Sequence, residues 1–235
     1  AFDIGVAAES REGQAAGRVA FADGVQRIEL DRLALTANGL TWVLAPDSAP
    51  RITIAGDSLE LRDVRLANGD QRVEASGTLA TGPEGRSGLD ISIRGFPLDQ
   101  VERLLGRPGP PLRGSLNAFA RVSGSLAQPE VVGSFAVEKG AFRELTYERI
   151  AGALHYNANR VGVDVAVEQQ PGAVLSVNGS VPWTLFSAAA QTEGGGEPID
   201  LWVQSSTIGL AVVTGLTAAV TEVEGTARID LHVTG

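Results

Sequence analysis

The sequence predicts an all-β, mainly antiparallel protein, and three observations carry that expectation. Apolar and polar residues alternate with a period of two along most of the chain, as on strands that bury one face. Turn signals interrupt the alternation at short, even intervals: Asn68-Gly69-Asp70, Gly82-Pro83, Pro108-Gly109-Pro110-Pro111, Pro171-Gly172 and Gly194-Gly195-Gly196, a pattern of short strands and tight connections. A triplet of glycine, then serine or threonine, then an apolar residue occurs six times, at Gly77, Gly114, Gly124, Gly133, Gly179 and Gly225. Glycine at the entry of a strand marks a bend, a bulge or a close backbone approach, so the triplet speaks of sheet geometry and not of catalysis.

The strands follow in order. Ile28 and Leu30 alternate with Arg27, Glu29 and Asp31, then the phase slips and Leu33 and Leu35 resume it, which predicts a bulge. Leu59 and Leu61 alternate with Glu60 and Arg62 before a second slip to Val64 and Leu66. Ile91 and Ile93 come next, then Leu116, Ala118, Ala120 and Val122, and Val137 further on. Val161, Val163, Val165 and Val167 form the cleanest run, answered by Leu175 and Val177 across the Pro171-Gly172 turn. Leu201 and Val203, then Ile229, Leu231 and Val233, close the chain. One stretch departs from the period of two. Apolar residues at 98, 101, 104 and 105, with Pro97 before them and Gly106 after, predict a short helix over about 97–105. Thr207 to Leu216 holds the equivalent place later, with a weaker helical pattern.

The triplets are spaced regularly. Gly77 and Gly179 are 102 residues apart, and the pairs Gly114–Gly225 and Gly124–Gly235 are each 111 apart. A β unit of roughly a hundred residues is therefore expected to recur. The expected division is a remnant of a preceding repeat at 1–25, a first unit at 26–125, and a second, truncated unit at 126–235. The chain starts at Ala1 and contains no methionine, which leads us to expect a segment of a longer protein.

Composition excludes several functions. The net charge of −9 is spread along the chain, which disfavours nucleic acid and anionic membrane surfaces, both of which need basic clusters. No cysteine is present, so disulfide and thiolate chemistry are ruled out. The uncharged run from Ile208 to Val220 is too short to span a bilayer as a helix. Aromatic residues make up 5% of the chain, too few for the girdles of a membrane barrel, and the non-core faces carry Arg, Asp and Glu. His155 and His232 lie outside any zinc-ligand spacing, at polar positions of predicted strands. Gly85-Arg86-Ser87-Gly88 is a loop and no nucleophile elbow, and Gly194-Gly195-Gly196 opens no helix that could cradle phosphate. Asp99 and Glu102 share a solvated helix face, and Asn178-Gly179-Ser180 fits a glycosylation sequon only because it overlaps a triplet. The expectation is a protein that is not an enzyme and uses no cofactor or metal.

The stretch Gly124-Ser-Leu-Ala-Gln-Pro-Glu-Val-Val-Gly133, continued by Phe135 to Gly140 and by Ala141, Phe142 and Arg143, resembles the repeat of the TamB family in the AsmA-like superfamily. That family writes Gly-Thr/Ser-Leu, two residues, Pro, a glycine-containing strand and a Gly-x-Phe-Arg turn. Tyr147 to Leu154 is similar to the family's next strand, and Leu40-Thr-Trp42 to Gly77-Thr-Leu79 also resembles it. The likeness covers most of residues 26 to 235. It implies the periplasmic region of an inner-membrane-anchored envelope protein of a Gram-negative-type bacterium. The implied fold is a long antiparallel sheet curled into a half-pipe, or β-taco, with an apolar interior and one or two short helices. It further implies phospholipid traffic between inner and outer membranes and support of outer-membrane biogenesis. The partners would be phospholipid and, through another part of the full chain, a TamA-like outer-membrane barrel protein.

Burying a methylene is worth about 0.8 kcal/mol, so dragging a chain of about sixteen carbons through water costs roughly 13 kcal/mol, and an apolar trough removes that barrier. Candidate groove residues are Ile28, Leu30, Leu59, Leu61, Ile91, Ile93, Leu116, Val122, Val137, Val161, Val163, Val165, Val167, Leu175, Val177, Leu201, Val203, Ile229, Leu231 and Val233. The same residues could instead form a closed core between two sheets. The alternative function is a structural or scaffolding β-repeat that docks partner proteins or nascent outer-membrane strands on its open edges.

Overall fold

The computed structural model describes residues 1–8, 11–83, 85–100, 112–125, 128–142, 145–186, 198–209 and 225–235. The protein is all-β. Its strands are β1 (Phe2–Ala8), β2 (Arg11–Ala22), β3 (Val25–Ala37), β4 (Leu40–Leu44), β5 (Arg51–Ala55), β6 (Ser58–Asn68), β7 (Gln71–Ala80), β8 (Ser87–Pro97), β9 (Leu112–Gly124), β10 (Pro129–Phe142), β11 (Leu145–Asn157), β12 (Arg160–Gln170), β13 (Ala173–Pro182), β14 (Asp200–Ser205), β15 (Ile208–Gly209), β16 (Thr226–Ala227) and β17 (Asp230–Thr234). Fifteen of them belong to one long antiparallel sheet, and β15 and β16 pair separately.

The chain forms two compact units. One comprises Ala1–Phe96, Gln100–Pro108 and Asn117–Pro129; the other comprises Pro97–Asp99, Gly109–Leu116 and Glu130–Gly235. In the first unit the hydrogen-bonded order is β1-β2-β3-β4-β6-β7-β8, with β5 paired to β3 and β6. In the second it is β10-β11-β12-β13-β14-β17, and β9 gives residues to each unit.

The 102-residue spacing reappears in the strand boundaries. β6 and β12 begin at 58 and 160 and end at 68 and 170; β7 and β13 begin at 71 and 173 and end at 80 and 182. Shifted by the same amount, β5 falls on the last five residues of β11, Ala153–Asn157. The 111-residue spacing is longer because Gly179 to Gly225 covers 46 residues, against 37 from Gly77 to Gly114.

Both predicted phase slips are bulges. Gly17 faces Leu30 while Ala16 faces Arg32, so Asp31 is the extra residue of β3. Leu61 faces Gly77 and Val64 faces Ala75, which leaves Arg62 and Asp63 opposite Ser76, and Asp63 has a φ of 56°. Each bulge returns the following leucines to the face occupied by the preceding ones. Between these two strands the loop from Ala45 to Pro50 separates β4 from β5. Asp63 Oδ2 accepts from the Ala49 N–H at 2.6 Å, and the Ser48 hydroxyl donates to the Asp63 carbonyl at 2.6 Å.

Two of the triplet glycines, Gly77 and Gly179, mark close backbone approaches. Gly77 has a φ of 124° and Gly179 a φ of 144°. A Cβ on Gly77 would sit against the Gly88 carbonyl oxygen, and one on Gly179 against that of Asp200.

Helical structure is sparse. Asp99 and Gln100 begin a helical turn, and the rest of the helix expected over 97–105 lies outside the described residues. Where Thr207 to Leu216 was the weaker helical candidate, Ile208–Gly209 is strand β15 and residues 210–216 lie outside the described ones. A 3-10 turn, Trp183–Phe186, follows β13 and has no counterpart in the sequence reading. No helix among the described residues is long and apolar enough to cross a membrane.

Candidate functional site

The registers sort the paired strand residues of each unit onto one of two faces. In the second unit one row across the strands is Val137, Ile150, Val167 and Leu175, and the next is Phe135, Gly152, Val165, Val177, Val203 and Leu231. A third row is Gly133, Leu154, Val163, Gly179, Leu201 and Val233, and a fourth is Val131, Tyr156, Val161 and Val181. These four rows bear no charge. The opposite face alternates with them and carries Glu138, Arg149 and Glu168 in one row and Ser134, Asp164, Asn178, Trp202 and His232 in another.

The first unit has the same division. Ile28, Ile52, Leu61, Gly77 and Leu89 form one apolar row, with Ile54, Leu59 and Leu79 beside it. Leu35 and Trp42 face each other, as do Leu44 and Leu66, Leu66 and Val73, Val73 and Ile93, and Ala75 and Ile91. Trp42 on β4 stacks against Phe96 on β8, ring centroids 6.2 Å apart. In the strand order β6 and β7 lie between them, a lateral separation of roughly 14 Å on a flat sheet. The apolar face of the first unit is therefore concave around this ring pair.

The other face of the first unit is studded with ion pairs: Arg18 with Glu29 and Asp31, Arg51 with Glu29, Arg62 with Glu60, and Arg94 with Glu74. Arg65 lies between Asp47 and Asp63. Such exposed pairs add little stability, and they keep this face in water. Arg121 Nε and Nη2 donate to the two Asp90 carboxylate oxygens at 2.6 and 2.8 Å. That hydrogen bond, more than the charge attraction, holds the Asp90 carboxyl below the usual carboxylate range, against a smaller opposing effect of desolvation. A lowered folded-state pKa contributes stability above the ordinary carboxylate range, and that contribution is lost as pH falls through the lowered value. Asp90→Asn is accordingly expected to lower the neutral-pH Tm slightly and to leave the acid-side Tm nearly unchanged, so that the fall in Tm on acidification is smaller in the variant, as a Tm-against-pH series will show.

All twenty candidate groove residues lie among the described ones. In the first unit Ile28, Leu30, Leu59, Leu61, Ile91 and Ile93 share the apolar face. Leu116 and Val122 occupy alternate positions of β9, out of phase with Arg121, whose partner Asp90 is on the charged face. In the second unit Val137, Val161, Val163, Val165, Val167, Leu175, Val177, Leu201, Val203, Leu231 and Val233 all share one face. Ile229 precedes β17 and packs against Ala173, Leu175 and Ile208 on the same face; its N–H donates to the Ser205 hydroxyl at 2.8 Å and its carbonyl accepts from the Ser205 N–H at 2.9 Å.

Burial distinguishes a half-covered face from a closed core. Of the twenty, only Val137, Val161 and Leu175 are buried, while Leu231 and Val233 are 55% and 44% exposed and the others are intermediate. The dry part of the second unit lies at one end of the face, where Ile208 (1% exposed) packs with Ala173 and Leu175, and Val167, Val203 and Ile229 surround them. Ile208→Ala is expected to cost about 3 kcal/mol by leaving a cavity there, read from chemical denaturation. Sequence reasoning missed Trp42, Phe96, Tyr156 and Ile208 as members of these faces. The alternation around Trp42 and Tyr156 was a usable signal; the contribution of Ile208 was not, because it comes from a two-residue strand.

The two histidines stand on the charged faces. His232 Nε2 is 2.7 Å from Asp200 Oδ1, and its ring stacks on Trp202 with centroids 4.0 Å apart. His155 lies opposite Val132 and Gly162. Among the described residues no group of three or more His, Asp or Glu could hold a metal ion. No family model, curated protein or solved structure matches this chain.

Proposed function

We propose that the chain is a lipid-carrying segment of a periplasmic envelope protein, with phospholipid acyl chains lodged against the apolar sheet face and head groups left in water. The observation that supports this most is the apolar face of each unit, uncharged in the four rows of the second and much of it only partly buried, set opposite a face that carries the charged residues. A closed sandwich would bury the middle rows, whereas Val163, Val165, Val177 and Val203 stay partly accessible. Acyl chains gain about 0.8 kcal/mol per buried methylene on such a surface, with no reacting side chain required. The role is non-enzymatic. The resemblance of Gly124–Arg143 to the TamB repeat supports placing it in traffic between inner and outer membranes and in outer-membrane biogenesis, with a TamA-like barrel as a partner of another part of the full protein.

The second reading is a structural or scaffolding β-repeat that docks partner proteins or nascent outer-membrane strands, for which exposed apolar side chains of the sheet, Ile4 and Val6 among them, would serve as contacts. Mass spectrometry of lipid extracted from a detergent-free preparation separates the two. Stoichiometric phospholipid is expected from a carrier; lipid-free, folded protein contradicts the carrier reading.

A further inference from the structure

The apolar face of the second unit ends differently at its two rims. Beside the Pro171-Gly172 turn it is dry and aliphatic, closed by Ile208 over Ala173 and Leu175. At the opposite end Tyr156 and Trp183 meet edge to face, ring centroids 5.4 Å apart. The Tyr156 hydroxyl donates to Asn159 Oδ1 at 3.2 Å, and the Trp183 backbone N–H donates to the Asn159 carbonyl at 2.7 Å. Trp183 is 46% exposed. Tyrosine and tryptophan, with an apolar ring and a polar handle, settle where hydrocarbon meets water. Between these rims, from Val161 to Val167, β12 rises roughly 20 Å, enough for the roughly 15 Å of hydrocarbon that one bilayer leaflet contributes.

We infer that the second unit holds a phospholipid in one orientation, with the acyl chain along β12, its methyl end at the Ile208 cluster and its head group at the Tyr156–Trp183 rim. The inference rests on the lipid-carrying reading and adds a polarity to it. The match is of three kinds: an uncharged floor for the chain, an aliphatic closed end for the methyl, and an amphipathic aromatic rim at the level of the ester linkage. Lipid then enters and leaves by the aromatic rim, because the other end is covered.

The test uses the full chain and its own fluorescence. Of the three tryptophans, Trp42→Phe and Trp202→Phe leave Trp183 as the sole reporter. The probes are phosphatidylcholines carrying a spin label at carbon 5 or at carbon 16 of one acyl chain. The carbon-5 label is expected to quench Trp183 about threefold more strongly than the carbon-16 label, as for an indole at an interface. A second reporter, Val203→Trp in a background with all three native tryptophans changed to Phe, is expected to show the reverse order. Should the double substitution disturb folding, the same order is read in the wild-type chain as the quenching that Trp183→Phe removes. Equal quenching by the two labels, or the carbon-16 label quenching Trp183 more strongly, overturns the orientation. Quenching of the Val203→Trp reporter with Trp183 untouched overturns it while leaving lipid carriage standing. If neither reporter is quenched and the extracted protein holds no phospholipid, lipid carriage itself falls and the orientation with it.

Discussion

Gly179→Ala is expected to destabilise the second unit by about 3 kcal/mol, combining backbone strain with overpacking against a neighbouring strand. Its φ of 144° is disfavoured for any residue with a Cβ, and that Cβ would collide with the Asp200 carbonyl oxygen and lie 2.9 Å from the Leu201 Cα. Neither neighbour is a flexible side chain that can turn away; both are backbone in the paired strand β14. Gly172→Ala is the control. Gly172 also has a positive φ, 84°, but nothing lies within 4 Å of its Cβ position, so the cost is strain alone, about 1 kcal/mol. Urea unfolding should show a much larger fall in the midpoint for Gly179→Ala than for Gly172→Ala, at an unchanged slope. Equal effects of the two substitutions would show that the triplet glycine is not required for close strand approach.

The second large effect concerns cargo. Val165 lies in the middle of the apolar face, in register with Gly152 and Val177 and partly accessible. Val165→Asp sets a carboxylate where acyl chains are proposed to lie, and phospholipid recovered with the protein should fall at least about tenfold, since a desolvated charge costs several kcal/mol. The folded state can solvate that carboxylate because the middle rows are not closed, so the circular dichroism spectrum should persist and stability should fall by about 1–2 kcal/mol. Asp164→Val, one residue away on the opposite face, should leave lipid content unchanged. If Val165→Asp unfolds the chain while Asp164→Val does not, the face is a closed core.

Much of this surface was legible in the sequence, because its faces are set by a period of two and strand period survives single-residue bulges. The slips after Leu30 and Leu61 read directly as the bulges at Asp31 and Arg62-Asp63. The Val161–Val167 run and its partners Leu175 and Val177 fell on one face as the alternation required. The 102-residue glycine spacing located the equivalence of β6–β7 with β12–β13. Other features depend on contacts distant in sequence. The stacking of Trp42 on Phe96 comes from concavity, which no local pattern encodes. The dry end depends on Ile208 meeting Ala173 and Leu175, more than thirty residues earlier in the chain. The break between β4 and β5 did carry a local signal in Pro46 and Pro50, residues that cannot donate to a ladder. Ile229 precedes β17 yet packs against the Ile208 cluster on the face its alternation required. The Tyr156–Trp183 rim was hidden because Trp183 follows the end of β13, where periodicity stops.

The central claim is that the uncharged sheet face contacts hydrocarbon and not a second protein layer. The most direct measurement places a photo-crosslinking amino acid at Val165 or at Asp164 in the full chain, irradiates the cells that produce it, and identifies the adducts by mass spectrometry. Phospholipid adducts from position 165, with none from position 164, are the predicted result. Adducts from position 165 only to other residues of the same chain would contradict the account and make this face a closed core.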